Sequence, residues 1–166
     1  MAAPTTFLVR QLVFALLAVA GALHPVAHGQ TRDAAVRSKP CAWLTAEIVK
    51  KVSVANHKSG ALPPPTELPL PTGIACEWGD VVLQIDPVPP AQLDKLRLKD
   101  PKNWETISGV GDAAYFHNVK DAMGGLYVRV GARTFGLLIT IPIGTTAAAF
   151  KPNFIMVANE IVPKLR

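Results

Sequence analysis

The sequence predicts an α+β fold: a single domain in which helices pack against one antiparallel sheet of about five strands. In LYVRV, residues 126–130, apolar side chains alternate with Tyr127 and Arg129, as in a strand with one buried face. FGLLITI, residues 135–141, is apolar on both faces, which predicts a central strand covered on both sides. A stripe at helical spacing predicts a final amphipathic helix. Its apolar residues are Phe150, Phe154, Val157, Ala158, Ile161 and Leu165.

The elements are predicted in the order α-β-β-α-β-β-β-α. The first helix follows Cys41, because Thr45 is a suitable N-cap and Glu47 would lie in the first turn. Alternation and turn residues place the other elements. The five predicted strands span residues 74–78, 81–86, 113–118, 126–130 and 134–141. A second helix is predicted at residues 91–98. A third, capped by Thr145 or Thr146, would run up to residue 165.

The N-terminal residues 1–29 have the order of a secretory signal peptide. Arg10 precedes an uncharged apolar run, and small residues follow near Gly29. The run, about 12 residues long, is too short to cross a bilayer core of ~30 Å, although an uncleaved anchor is the alternative. Residues 30–40 are predicted to be a flexible mature N-terminus, and residues 41–166 to form the single domain. We therefore expect a periplasmic or secreted protein with no stable membrane insertion.

The charge pattern argues against nucleic-acid binding. The formal net charge of the whole chain is +5, and without Arg10 sixteen cations face twelve acids. These cations are scattered, with no run beyond Lys50-Lys51. Nucleic-acid binding proteins usually cluster their cations on one face. We expect a protein partner or a small envelope ligand instead.

The two cysteines, Cys41 and Cys76, indicate a disulfide if the chain is exported. Two separate buried thiols are the alternative. A metal site is disfavoured, because neither cysteine has a Cys-x-x-Cys partner or a nearby histidine.

The segment GVGDAA, residues 109–114, fits the Gly-x-Gly-x-x-Gly/Ala spacing of a dinucleotide-binding turn. Such a turn follows an apolar strand, opens a helix and has an acid about 20 residues further on. Here the preceding segment is polar, and β-prone residues follow. We therefore predict a turn between strands and no cofactor. Gly109 and Gly111 would let the chain reverse, and Asp112 would cap its own backbone amides.

No catalytic constellation is apparent. The sequence lacks a Gly-x-Ser-x-Gly elbow and a Ser-x-x-Lys motif. The only histidines after the leader, His57 and His117, stand alone without metal-like spacing. We predict no catalytic residues and no metal ligands.

The aromatic residues provide the candidate binding site. Trp43 and Trp78 lie next to the cysteines and are predicted to pack against a disulfide. Trp104 lies in a polar stretch and is predicted to be partly exposed. Aromatic side chains beside loops are where binding surfaces concentrate. The candidate binding residues are Trp104, His117, Tyr127 and Arg129.

Several segments together resemble a group of small exported bacterial domains. They are CAWLTAEIV, CEW, GVGDAAYF and LYVRVGARTFGLLI, followed by the C-terminal amphipathic helix. The group includes lipoproteins of unknown function and extracellular sensor domains of some bacterial serine/threonine kinases. The resemblance spans residues 41–165 and implies a Cys41–Cys76 disulfide, an antiparallel sheet with a cleft, and no catalytic residues. This chain lacks a lipidated cysteine, so the resemblance does not extend to membrane tethering.

These observations favour an exported, non-enzymatic binding module of the bacterial envelope. Two alternatives stay open. The proline-rich residues 57–73 are predicted to form an exposed loop, which is either a stiff connector or a recognition segment. As a recognition segment it would suit an inhibitor of a secreted hydrolase. An enzyme whose site is assembled only by the fold is the second alternative.

Overall fold

A computed structural model describes residues 39–53 and 62–166. The predicted signal peptide at residues 1–29, most of the predicted flexible segment at residues 30–40, and His57 lie outside the described residues. The α+β class is confirmed, with one antiparallel sheet. Within the described part, no helix combines the length and apolar character that a membrane span requires.

The sheet has seven strands, so the prediction of about five was too low. The strands are β1 Thr66–Pro69, β2 Ile74–Trp78, β3 Val81–Ile85, β4 Trp104–Ile107, β5 Ala113–His117, β6 Met123–Val130 and β7 Arg133–Thr140. They lie in the spatial order β1-β2-β3-β7-β6-β5-β4. The two unpredicted strands are the edge strands. All of β1 is exposed and β4 is half-exposed, so neither shows the apolar alternation that reveals a strand. The predicted proline-rich loop therefore contains a strand.

The described residues form four α-helices, and their order differs from the prediction. They are α1 Pro40–Trp43, α2 Ala46–Val52, α3 Pro90–Lys99 and α4 Lys151–Leu165. The predicted first helix is α2, and α1 before it was not predicted. Thr45 lies between them and caps α2, accepting the Ile48 N–H at 3.4 Å, as expected. Pro40 is buried at the start of α1, so the segment predicted as a flexible N-terminus ends in a packed helix.

The start of the last helix also differs from the prediction. Thr146 precedes a 3₁₀ turn at Ala147–Phe150, and its side chain caps nothing. The Asn118 side-chain oxygen accepts the Ala148 N–H at 3.1 Å instead. A residue from the β5–β6 connection therefore supplies the cap, which the local sequence does not reveal.

The main core lies between one face of the sheet and helices α1, α2 and α4. From β7, Phe135, Leu137 and Ile139 point into it and are fully buried. Leu138 faces the opposite side and is also buried, which confirms that FGLLITI is a central strand covered on both sides. The predicted stripe of α4 is confirmed, since its residues from Phe154 onward are buried against the sheet.

A Cys41–Cys76 disulfide joins α1 to β2, as predicted. Cys76 is fully buried on the core side of its strand. Trp43 and Trp78 pack at the margin of the same core, together with Cys41. The bond thus ties the first helix to the half of the sheet formed by β1, β2 and β3.

Candidate binding face

The four candidate binding residues lie on one face of the sheet, opposite the main core. Trp104 on β4 is directly opposite His117 on β5, and Tyr115 on β5 is opposite Tyr127 on β6. Because side chains alternate along a strand, Trp104, His117, Tyr127 and Arg129 all point to this side, which we call the outer face. Each is half-buried. The prediction that Trp104 is partly exposed is therefore confirmed.

Three of these residues form the aromatic cluster: Trp104, His117 and Tyr127. The Trp104 and His117 rings stack, with centroids 4.3 Å apart and planes 15° apart. The Tyr127 ring is tilted against Trp104 at 5.4 Å. The strand pairing explains the stack. Asn118 N–H donates to Asn103 O at 2.7 Å, so the next pair along, Trp104–His117, is a non-hydrogen-bonded pair, in which side chains come closest.

The aromatic cluster is uncharged at neutral pH. Burial lowers the pKa of His117 below its ordinary value of 6.5, and the negative charge of Asp100 only partly opposes this. Burial also raises the pKa of Tyr127 above its ordinary value of 10.0. Both rings therefore present neutral, largely apolar surfaces.

Helix α3 covers part of the outer face and fixes Tyr115. The Tyr115 hydroxyl donates a hydrogen bond to Asp94 at 2.7 Å, and this bond raises the pKa of Tyr115, with burial as a second cause. The Arg97 guanidinium lies 5.1 Å from the centroid of the Tyr115 ring, within the range of a cation–π contact. On the same helix Leu93 is almost fully buried. The helix therefore holds one side of the outer face in place.

Gly136 leaves the space that Tyr127 occupies. The two residues are directly opposite each other on β7 and β6. A Cβ added at Gly136 would lie 3.2 Å from Tyr127 Cε1 and 3.3 Å from Gln84 Oε1. The tyrosine ring therefore leans across the central strand. Gly136, Asp94 and Tyr115 were not among the candidate binding residues predicted from the sequence. Only Tyr115 had a visible signal, since it alternates with His117 along one strand.

A buried carboxylate anchors the connection from β3 to α3. Asp86, which has φ 51°, accepts the Thr134 N–H at 3.0 Å and two guanidinium N–H groups of Arg133 at 2.8 and 3.1 Å. The Thr134 hydroxyl donates to Val88 O at 2.6 Å. These bonds hold the segment before α3 against the central strand, and so position the helix over the outer face.

The first four residues of GVGDAA lie in the turn between β4 and β5, and its last two residues begin β5, so the segment leads into a strand and not a helix. Gly109 and Gly111 have φ of 79° and 58°, the left-handed region that glycine adopts readily. One detail of the prediction was wrong. The Asp112 carboxylate accepts the N–H of Gly131 at 2.6 Å and not an amide of its own turn, because the β6–β7 turn lies beside it.

Two cavities lie away from the aromatic cluster. One of about 410 Å³ is lined by Asp112, Val130, Gly131, Ala132, Arg133, Leu165 and Arg166. The other, of about 290 Å³, is lined by Val88, Gln92, Lys95, Leu96 and Lys99. Neither is lined by a member of the aromatic cluster. Among residues 39–53 and 62–166, no group of three or more histidine, cysteine or acidic side chains is placed to hold a metal ion.

Comparison with known proteins adds no relative. No family model, no curated protein and no solved structure matches this chain.

Proposed function

We propose that this protein is an exported, non-enzymatic binding module of the bacterial envelope that binds its partner through the aromatic cluster. The observation that carries the proposal is the convergence of Trp104, His117 and Tyr127, from three adjacent strands, on one partly exposed and uncharged surface. Tryptophan and tyrosine are enriched among the few residues that supply most of the binding energy at protein interfaces.

The cluster is also rigid, which favours binding. Its three residues lie on paired strands, and the Trp104–His117 stack restricts both rings. Side chains that are fixed before binding lose little conformational entropy when a partner covers them. A rigid, half-buried aromatic surface therefore suits recognition without any catalytic group.

The proposed location is the periplasm or the medium. The Cys41–Cys76 disulfide supports it, because such bonds persist mainly in oxidising compartments. The mature protein is expected to begin close to Gln30 and to be released by osmotic shock. N-terminal sequencing of the released protein tests this. A full-length chain found in the membrane fraction would contradict it.

The exposed proline-rich segment favours a second candidate function. Every residue from 63 to 69 is exposed, and β1 holds part of this segment in one conformation. An ordered, exposed segment is what an inhibitor of a secreted hydrolase would present to its target. In this case binding would depend on Leu68, which is 38% exposed, and not on Trp104.

Affinity capture from envelope extract tests the proposal. Wild-type protein is immobilised beside Trp104→Ala, Leu68→Ala and the control Ile143→Ser, which removes an apolar side chain that is 94% exposed in a different loop. We expect a captured species that is lost with Trp104→Ala and retained by the other two. Loss only with Leu68→Ala would favour the inhibitor. A captured set that is identical for all variants of matched thermal stability would refute binding through the cluster.

A further inference from the structure

We propose that the partner is an extended peptide segment that adds to the sheet as an eighth strand along β4. This inference rests on the proposed function, because the added strand would lie next to the aromatic cluster. It follows from a difference between the two edges of the sheet, β1 and β4.

The β1 edge is blocked by prolines. Leu70 N–H donates to Gly73 O at 2.9 Å, so alternate residues from Leu70 backward bond inward to β2. The residues between them, Pro65, Glu67 and Pro69, direct their backbone groups outward. Proline has no N–H, so Glu67 alone offers an outward donor, and its side chain is charged. Prolines and charges at such positions prevent strand pairing.

The β4 edge is open. The bond from Asn118 N–H to Asn103 O sets the alternation, so Glu105 and Ile107 bond inward to β5. Trp104 and Thr106 therefore direct both their N–H and C=O groups outward. No described strand pairs with these four groups, and neither residue is a proline. This edge has the donors and acceptors that an extended peptide requires.

The neighbouring side chains define the chemistry of the peptide. Peptide residues opposite Trp104 and Thr106 would point to the outer face, where apolar or aromatic side chains would extend the aromatic cluster. The residue between them would point to the other face, beside the Glu105 carboxylate. Lys151 already bonds both oxygens of Glu105 at 2.9 Å, yet the Glu105 side chain is 53% exposed. A basic residue fits this position.

The same carboxylate disfavours a second copy of this chain as the added strand. In the symmetric antiparallel pairing of β4 with itself that uses only the outward groups of Trp104 and Thr106, Trp104 of each copy would bond with Thr106 of the other. The two Glu105 side chains would then lie directly opposite each other, and like charges in that position are destabilising. The occupant we assign is therefore a peptide with the pattern apolar–basic–apolar.

The test uses a displayed library of random linear peptides selected on the wild-type protein, with affinities then measured for the synthetic peptides. Thr106→Pro removes one outward N–H without breaking a bond to β5, as the prolines do in β1, and Thr106→Ser is the matched control. We expect enriched peptides to carry the apolar–basic–apolar pattern. They should bind Thr106→Pro about tenfold more weakly than wild type, and should bind Thr106→Ser with the affinity of wild type.

A second measurement does not depend on altering the protein. N-methylation of the peptide at the residue opposite Trp104 removes one donor to the β4 edge, and is expected to weaken binding by about the same factor. If Trp104→Ala weakens peptide binding but neither Thr106→Pro nor N-methylation does, the proposed binding function is supported and strand addition is wrong. Absence of any enriched peptide overturns the inference, as does a wild-type dimer that Thr106→Pro abolishes. The proposed function itself fails only if Trp104→Ala captures the same species from envelope extract as the wild type does.

Discussion

Reduction of the Cys41–Cys76 disulfide is expected to lower the free energy of unfolding by about 4 kcal/mol. The two cysteines are 35 residues apart in the chain. Closing a loop of this length restricts the unfolded chain, and the chain-entropy relation gives that value at 25 °C. Because each kcal/mol displaces the melting temperature of a domain of this size by a few degrees, the melting temperature should fall by on the order of 10 °C.

The reduced protein should still be folded. Cys76 lies in the main core and Cys41 at its margin, but the packing of α4 on β6 and β7 and of α1 on β2 does not depend on the covalent bond. A chain of this size buries enough apolar surface to fold without a covalent link. Urea unfolding should therefore stay cooperative, with a lower midpoint. The slope should be steeper, because the unlinked unfolded chain exposes more surface.

Urea titrations followed by tryptophan fluorescence, with and without reductant, measure the effect. The double variant Cys41→Ala, Cys76→Ala is the control. Its urea midpoint should resemble that of the reduced wild type, and reductant should not change it. A midpoint that does not change on reduction of the wild type would refute the reasoning. Two titratable thiols in unreduced, denatured protein would show that the bond is absent.

Three further outcomes are expected. Burial lowers the pKa of His117 in the folded protein, so as the pH falls the unfolded chain binds a proton at this residue before the folded chain does. The free energy of unfolding should therefore decrease as the pH drops below about 6.5. The decrease should be smaller in His117→Gln. Urea midpoints at a series of pH values measure this. Asp86→Asn should cost about 2 kcal/mol in urea unfolding, because the buried carboxylate bonds the Thr134 N–H and a guanidinium. Replacing Pro65 and Pro69 together with threonine should restore two outward N–H groups, one in β1 and one at the residue before it, and cause concentration-dependent self-association in sedimentation.

Each of these expectations has an outcome that contradicts it. Equal pH dependence in wild type and His117→Gln would show that this histidine does not set the slope. A wild-type midpoint for Asp86→Asn would mean that the anchor of α3 is not stabilising. If the variant with threonine at residues 65 and 69 sediments as the wild type does at all concentrations, prolines do not block strand pairing at the β1 edge.

The sequence alone determined the parts of this protein that repeat a local pattern. Three such patterns were predicted correctly, because each reflects burial of one element against another. They are the alternation around Tyr127, the strand at residues 135–141 that is apolar on both faces, and the apolar stripe of α4. The disulfide was predicted from cysteine count and expected compartment. The edge strands escaped prediction because an exposed strand buries neither face and has no periodic signal.

Only the tertiary structure decided what surrounds the candidate site. Trp104, His117 and Tyr127 come from three strands, and the register that stacks their rings depends on pairing between residues distant in sequence. The anchoring of α3 by Asp86 and Tyr115 is likewise made of contacts between separate elements. The open edge at β4 and the blocked edge at β1 follow from which backbone groups pair inward. A sequence specifies the residues at these positions, but the direction of each N–H is fixed only when the strands pair.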